Sequence, residues 1–139
     1  LRPYPDLAAV AARLVANDPL LSPDKAAWLA PHWARPTPGG DDGSWELQAD
    51  PAHKRINPVL YQVDEVLETW KAITAPLLWV EGEQTDTAKW WGHRYSRAEF
   101  HQRLAVMQQV RKVMLSPCGH MLHHDQPDAL ARELSGFLG

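Results

Sequence analysis

The sequence has one cysteine, no long apolar run and no excess of positive charge, and each absence excludes a class of protein. Cys118 has no second cysteine to pair with, so no internal disulfide forms and no oxidising compartment is implied. No apolar run approaches the about 20 residues of a membrane-spanning helix. The 14 Lys and Arg residues are scattered, and the net charge is −3, which argues against nucleic acid and anionic membrane surfaces as partners.

The N-terminus lacks the charged and apolar regions of a signal peptide, and with the lone cysteine this favours a cytoplasmic location. The length of 139 residues suits one ordinary domain, and 45% hydrophobic with 22% charged residues is a globular composition. The chain begins with Leu1 and passes almost directly into a helical pattern. From this start we expect a piece of something longer.

The first part of the sequence is patterned for helices. The residues Tyr4-Pro5-Asp6 open one helix, with Pro5 at the first helical position and an apolar stripe behind it. Ser22 is the expected N-cap of a second helix that carries Trp28 and Trp33. The pattern predicts a small helical hairpin.

Residues 35–44 are rich in proline and glycine and predict a loop. Residues 45–47 alternate apolar and polar side chains, which suits a short strand or an extended segment. Residues 50–57 have no periodicity and are expected to be irregular. A helix is predicted at about residues 58–71, with its apolar face formed by Val63, Val66, Leu67 and Trp70.

The second half alternates strand and helix patterns. Residues 77–80 are an unbroken apolar run, typical of a strand buried on both faces of a parallel sheet. Ser96 and Glu99 form a capping box that opens a helix, and residues 113–115 predict a second strand. A last helix starts at Pro127. We expect a right-handed βαβα unit, with more sheet beside it because two strands leave open edges. The residues expected to face inward on the two helices are Phe100, Leu104, Met107, Leu130, Leu134, Phe137 and Leu138.

The second strand ends in a turn that contains Gly119 and His120. This places an imidazole at the carboxyl edge of the sheet, where ligands bind in open α/β folds. Histidine is also the side chain that titrates nearest neutrality, which suits it to proton transfer. We therefore predict that His120 is a catalytic base.

Two motifs resemble the C-terminal end of the α/β-hydrolase superfamily. The run APLLWVEGE, from Ala75 to Glu83, is similar to its penultimate strand and acid loop, and CGHM with DQP around His120 is similar to its histidine turn. The resemblance implies an α/β class and a partial α/β-hydrolase fold without the N-terminal half of the sheet. By this resemblance residues 73–139 are the last two strands with their helices, and residues 1–72 are a helical cap with its return segment.

In this superfamily the Gly-His turn carries the catalytic histidine, and the loop after the penultimate strand carries its carboxylate partner. The resemblance therefore implies that His120 is the base and that Asp86 is the acid, with Glu83 as the reserve. Asp86 lies one place further from Gly82 than the spacing of the superfamily. The superfamily's Gly-x-Ser-x-Gly nucleophile elbow does not occur in this sequence. The chain is expected to provide acid and base without the nucleophile, Ser or Asp, and to be inactive alone.

The implied parent is a hydrolase of smallish apolar substrates, with a carboxylic ester as the first choice and a carbon–carbon bond, epoxide or halide left open. The expected partners are the missing half of the same fold or a second, swapped copy of the chain. A rival interpretation is a non-catalytic binding or assembly piece that pairs through its open sheet edge.

Other chemistry-bearing residues have simpler interpretations. A metal cluster of Cys118, His120, His123, His124 and Asp125 lacks the second, separated pair of ligands that structural zinc uses, so we expect no metal or cofactor. We expect His123 and His124 to lie on the surface, and we expect His93 and His101 to be polar surface side chains with no role in the site. Core packing is the first interpretation of four tryptophans, with an apolar pocket under the cap as the alternative: Trp28, Trp33, Trp90 and Trp91.

Overall fold

The computed structural model describes residues 3–39, 43–92 and 94–139, except for the side chains of Trp90 and Trp91. The chain forms two compact units, Leu1–Pro58 and Val59–Gly139. His93 and the two tryptophan side chains lie outside the described part, so their predicted places stay predictions.

In the first unit, helices α1 (Leu7–Asn17) and α2 (Pro23–Trp33) form the predicted hairpin. The N-cap of α1 is Asp6, whose carboxylate accepts a hydrogen bond from the Ala9 amide at 2.7 Å. Pro5 therefore precedes the helix and was wrongly expected inside it. Ser22 caps α2 as predicted, since its hydroxyl accepts from the Lys25 amide at 3.3 Å. The buried apolar side chains of this unit are Val10, Leu14, Leu21, Ala26, Leu29, Ala30 and Ala34.

A short antiparallel hairpin follows, made of β1 (Ala34–Pro36) and β2 (Trp45–Leu47). The loop predicted at residues 35–44 was therefore too long, because Arg35 and Pro36 belong to a strand. A 3-10 helix (Pro51–Lys54) lies in the segment expected to be irregular. Asp50 explains it, because its carboxylate accepts from the Ala52 amide at 2.8 Å and starts the turn.

The second unit has the predicted alternation of strand and helix. Strands β3 (Leu77–Gly82) and β4 (Val110–Leu115) are parallel, with Leu77 opposite Val110 and Gly82 opposite Leu115. Because the two strands run in the same direction and pair along their whole length, their carboxyl ends lie at the same edge of the sheet. The strands are connected and flanked by five helices in the described part: α3 (Val63–Lys71), α4 (Ala88–Trp91), α5 (Arg97–Leu104), α6 (Leu122–Asp125) and α7 (Pro127–Leu138).

The predicted inward residues are confirmed in part. Leu104 of α5 is 2% exposed, and Met107, which lies beyond the end of α5, is 9% exposed. On α7, Leu130 and Phe137 are half-buried, whereas Leu134 and Leu138 are 43% and 78% exposed. An apolar stripe at helical spacing marks which residues share a face, but carries no information on whether the far end of the helix is covered.

Helix α3 begins at Val63 rather than near Pro58. Residues 58–62 are not helical, and Gln62, the residue before the helix, has an extended backbone. The compact units divide at residues 58 and 59, so α3 belongs with the parallel strands. The predicted division between residues 72 and 73 separates a cap from a core. It rests on family resemblance and not on the compactness of the two units, and it stays a prediction.

The segment between the units predicts a site of proteolysis. Ile56, Val59, Leu60 and Tyr61 are between 68% and 93% exposed, and chymotrypsin prefers large apolar side chains. Brief digestion is expected to cut first after Leu60 or Tyr61, giving two fragments whose masses locate the cut. Replacing both residues with serine should slow this cut. A first cut inside α1, α2 or α5 would contradict the prediction.

Candidate functional site

His120 lies in the turn that follows β4, at the carboxyl end of the parallel strands. It is exposed and lines a cavity of about 610 Å³ within the second unit. The turn is held by side chains at the junction between α6 and α7. The Gly119 amide donates to Oδ2 of Asp125 at 2.6 Å, and the Gln126 amide group donates to the Pro117 carbonyl at 2.9 Å. These bonds fix the backbone on both sides of Cys118, immediately before His120.

The loop after β3 is bonded directly to this histidine turn. The Glu83 amide donates to the Leu115 carbonyl at 3.0 Å, and the Gln84 amide donates to the Cys118 carbonyl at 2.8 Å. Gly82 passes so close to the turn that a Cβ atom there would lie 1.9 Å from the Gly119 oxygen. The two loops therefore form one backbone-to-backbone assembly, and the residue at position 82 must be glycine.

Both predicted acids lie in that loop, each with its own contact. Asp86 is exposed, and its Oδ1 accepts a hydrogen bond from the Ala88 amide at 3.0 Å. Its neighbours Thr85 and Thr87 line the same cavity as His120. Glu83 is also exposed, and its carboxylate accepts from the Ser116 hydroxyl. The loop as a whole is thus brought to the histidine turn, and the choice between the two carboxylates stays a prediction.

Sequence reasoning missed Glu81, whose side chain lines the cavity. The Trp79 indole donates to its Oε2 at 3.0 Å, and Nε2 of His101 lies 3.0 Å from its Oε1. The expectation that His101 is only a polar surface side chain was therefore wrong, because it contacts Glu81. The sequence signal that could have identified this pair is Glu81 itself, the charged residue of an otherwise apolar strand. A charged side chain that becomes partly buried when the strand packs needs a polar or charged partner.

The ionisation of Glu81 is favoured by its surroundings. Burial raises the pKa of its carboxyl, but the contacts with Trp79 and His101 and the charges of His101 and Arg97 outweigh burial. Together they hold the pKa below the ordinary value of 4.5. The carboxylate is therefore charged at neutral pH and fixes the Trp79 ring, which lies 4.5 Å from the ring of Phe100 between centroids.

The lowered pKa of Glu81 predicts an acid-sensitive contribution to stability. A carboxyl with a lowered folded-state pKa stabilises the fold fully above the unfolded value of 4.5, and loses this as pH falls through the folded-state pKa. The free energy of unfolding of Glu81→Gln should therefore be lower than that of the wild type at pH 7. The difference should shrink below pH 4.5, which urea titrations at several pH values would measure. A difference that grew with acid would contradict the assignment.

Two other predictions need correction. His124 is 5% exposed and not on the surface, while His123 is exposed. Successive helical residues point about 100° apart, so adjacent histidines in α6 face different surroundings. In the first unit Trp28 and Trp33 are 65% and 37% exposed, so neither is a buried core residue.

Within residues 3–39, 43–92 and 94–139, no three His, Cys, Asp or Glu side chains are placed to hold a metal ion. Cys118 is fully buried. None of the described helices combines the length and apolar character needed to cross a membrane.

Residues 1–133 match the alpha/beta hydrolase family. The chain is similar to the structure of a thioesterase domain from the curacin biosynthetic pathway, with 26% identity, a TM-score of 0.73, and coverage of 97% of this chain and 44% of that chain. It is similar to an esterase of Mycobacterium tuberculosis, with 20% identity, a TM-score of 0.73, and coverage of 99% and 42%. It is also similar to E-2-(acetamidomethylene)succinate hydrolase, with 18% identity, a TM-score of 0.66, and coverage of 99% and 47%. No curated protein matches the sequence.

The chain therefore spans less than half the length of these solved structures. The similarities to the two structures at 20% and 18% identity show only that the fold is shared. They agree with the parallel strands and the helices between them, and the fold is a partial α/β-hydrolase fold as predicted. The match over residues 1–133 covers nearly the whole sequence, and the chain belongs to the alpha/beta hydrolase family.

Proposed function

We propose that this chain provides the histidine and the acid of a hydrolase that cleaves carboxylic esters or thioesters with small apolar groups. One observation carries the proposal. His120 lines a cavity of about 610 Å³ at the carboxyl ends of two parallel strands, and the loop with Asp86 and Glu83 is bonded to the same turn. The thioesterase activity of the similar domain from the curacin biosynthetic pathway supports the substrate class.

In this proposal His120 takes the proton of a nucleophile as the nucleophile attacks the substrate carbonyl. It then gives the proton to the leaving alkoxide or thiolate when the tetrahedral intermediate collapses. A carboxylate, Asp86 first and Glu83 in reserve, holds the second ring nitrogen and stabilises the imidazolium. Water repeats the cycle on the acyl-enzyme.

The nucleophile is proposed to come from polypeptide outside these residues, because Gly-x-Ser-x-Gly does not occur in the sequence. The other half of the same fold could supply the nucleophile and pair with the open strand edge. A second, swapped copy of this chain could cover that edge, but it carries no nucleophile elbow of its own. Among the described residues β3 pairs with β4 alone, so its other edge offers unpaired backbone groups. The hairpin of α1 and α2 is proposed to serve as part of a cap.

The cavity wall supports the preference for apolar substrates. Its lining includes the rings of Trp79 and Phe100 and the side chain of Leu122. Such surfaces bind substrate through removal of apolar area from water, while a few polar groups set its orientation.

The test is hydrolysis of a nitrophenyl ester by the protein expressed from its own gene, with the intact mass measured on the same sample. Turnover that requires His120 would support the proposal. A gene product with the mass of these 139 residues and no turnover would contradict it.

The acid is tested by Asp86→Asn and Glu83→Gln in the same assay. Loss of the carboxylate that holds the histidine is expected to lower kcat about 10⁴-fold, because the neutral amide favours the wrong imidazole tautomer. We expect the large loss from Asp86→Asn and a loss below about tenfold from Glu83→Gln. The reverse order would make Glu83 the acid.

A further inference from the structure

Arg97, the first residue of α5, reaches back to the loop after β3 and binds its backbone. Its Nη1 donates to the Glu83 carbonyl at 3.1 Å. Its Nη2 lies 3.1 Å from the Gly82 carbonyl, 3.2 Å from that of Glu83 and 3.1 Å from that of Thr85. A single guanidinium thus gathers the carbonyls of three residues that lead directly to Asp86.

Only an arginine suits this geometry. A guanidinium presents its donors in a rigid planar fork, so one group can satisfy several carbonyls that converge on it. The root of the side chain is also fixed, because the Ser96 hydroxyl accepts from the Glu99 amide at 3.0 Å and caps α5. The rigid helix end, the planar fork and the carbonyls together hold residues 82–85 in one conformation.

Arg97 also lines the cavity, which raises the alternative of an anion-binding group for substrate. Its Nη1 and Nη2 already donate to loop carbonyls, so the contacts point to the loop and not to a ligand. The loop is bonded on its other side to the histidine turn, through the Gln84 amide and the Cys118 carbonyl at 2.8 Å.

We infer that Arg97 is a positioning residue that sets the place of the acid loop relative to His120. The inference deepens the proposed function and rests on it. In the proposed hydrolase, removing Arg97 would leave the cavity, the imidazole and both candidate acids present, but would release the loop that presents the carboxylate. The histidine would then lose the fixed tautomer that proton transfer requires.

The test uses the whole 139-residue chain and reads the two ring nitrogens of His120 by ¹⁵N NMR, which measures the tautomer ratio directly. In the wild type we expect a ratio different from that of free histidine. Asp86→Asn and Glu83→Gln identify which carboxylate produces the difference. Arg97→Met is expected to remove at least about half of it, while the circular dichroism spectrum stays that of the folded protein.

Arg103→Met is the matched control. Arg103 lies on the same helix, but its Nη2 bonds to Glu99 of that helix at 2.6 Å. We expect it to leave the tautomer ratio unchanged. If Arg97→Met does not fold, Arg97→Lys replaces it, because a lysine keeps the charge without the fork and should give an intermediate ratio.

The outcomes separate the inference from the function. The inference alone is overturned if the tautomer ratio changes in a carboxylate variant but keeps its wild-type value in folded Arg97→Met. The same holds for Arg97→Lys if that variant replaces Arg97→Met. A ratio that neither Asp86→Asn nor Glu83→Gln changes overturns the acid assignment, and the inference with it. A loss in Arg103→Met equal to that in Arg97→Met would also overturn it, since any change in α5 would then have the same effect.

Discussion

Replacing Gly82 with alanine is expected to prevent residues 59–139 from reaching their native packing. The new Cβ atom would lie 1.9 Å from the Gly119 oxygen, 2.6 Å from the Cys118 oxygen and 2.8 Å from the Gly119 carbon. All three are backbone atoms, so no side chain can rotate away. Relief requires the loop and the histidine turn to separate by about 1 Å or more, which breaks the bonds from Glu83 and Gln84. Such overpacking should cost more than about 4 kcal/mol.

The matched control is Gly136→Ala. Gly136 lies inside α7, and a Cβ atom there meets nothing within 4 Å. Alanine is the better helix former by about 0.5–1 kcal/mol, so this variant should be slightly more stable than the wild type. Urea titrations followed by circular dichroism would measure both. A Gly82→Ala protein within about 1 kcal/mol of the wild type would show that the two loops are not in contact in solution.

The same contact shows where sequence reasoning stops. The motif around Gly82 predicted the strand and the loop after it, because an apolar run closed by glycine is a local signal, although β3 continues two residues beyond the predicted run. The contact between Gly82 and Gly119 is not local. It follows from the register that sets Gly82 opposite Leu115, and no property of either residue alone encodes that register.

The residues of the candidate site also differ in whether the local sequence could predict them. His120 could be predicted because the strand, the turn and the imidazole are consecutive in the sequence. Arg97 could not, because its partners are backbone carbonyls 12 to 15 residues away, and carbonyls occur at every position. Glu81 and His101 are an intermediate case, since the charge inside an apolar strand was visible but its partner was not.

Helix ends followed local chemistry most closely. Ser22 and Ser96 both cap the helices they were expected to cap. Asp6 capped α1 in place of the expected proline start, because a carboxylate can satisfy the free amide of Ala9 and a proline ring cannot. The exposed end of α7 shows the opposite limit, since burial depends on what lies beside a helix and not on its own pattern.

Replacing His120 with alanine is expected to abolish ester hydrolysis by the protein that carries the nucleophile. Without the imidazole, the nucleophile keeps its proton during attack and the leaving group departs unprotonated. Loss of a triad histidine lowers kcat about 10⁴-fold or more, while KM changes little because binding uses the cavity wall. Stability should change by less than about 0.5 kcal/mol, since the His120 side chain is exposed.

His123→Ala is the matched control, because it removes another exposed imidazole three residues further along the chain. Its nitrophenyl-ester turnover should stay within about twofold of the wild type, since surface substitutions away from a site have small effects. If the two variants lost activity equally, general damage to the turn would explain the loss. If His120→Ala kept its activity, the base would be another group and the non-catalytic interpretation of this chain would gain support. A loss confined to His120→Ala, with unchanged stability, would identify the imidazole itself as the group that moves the proton.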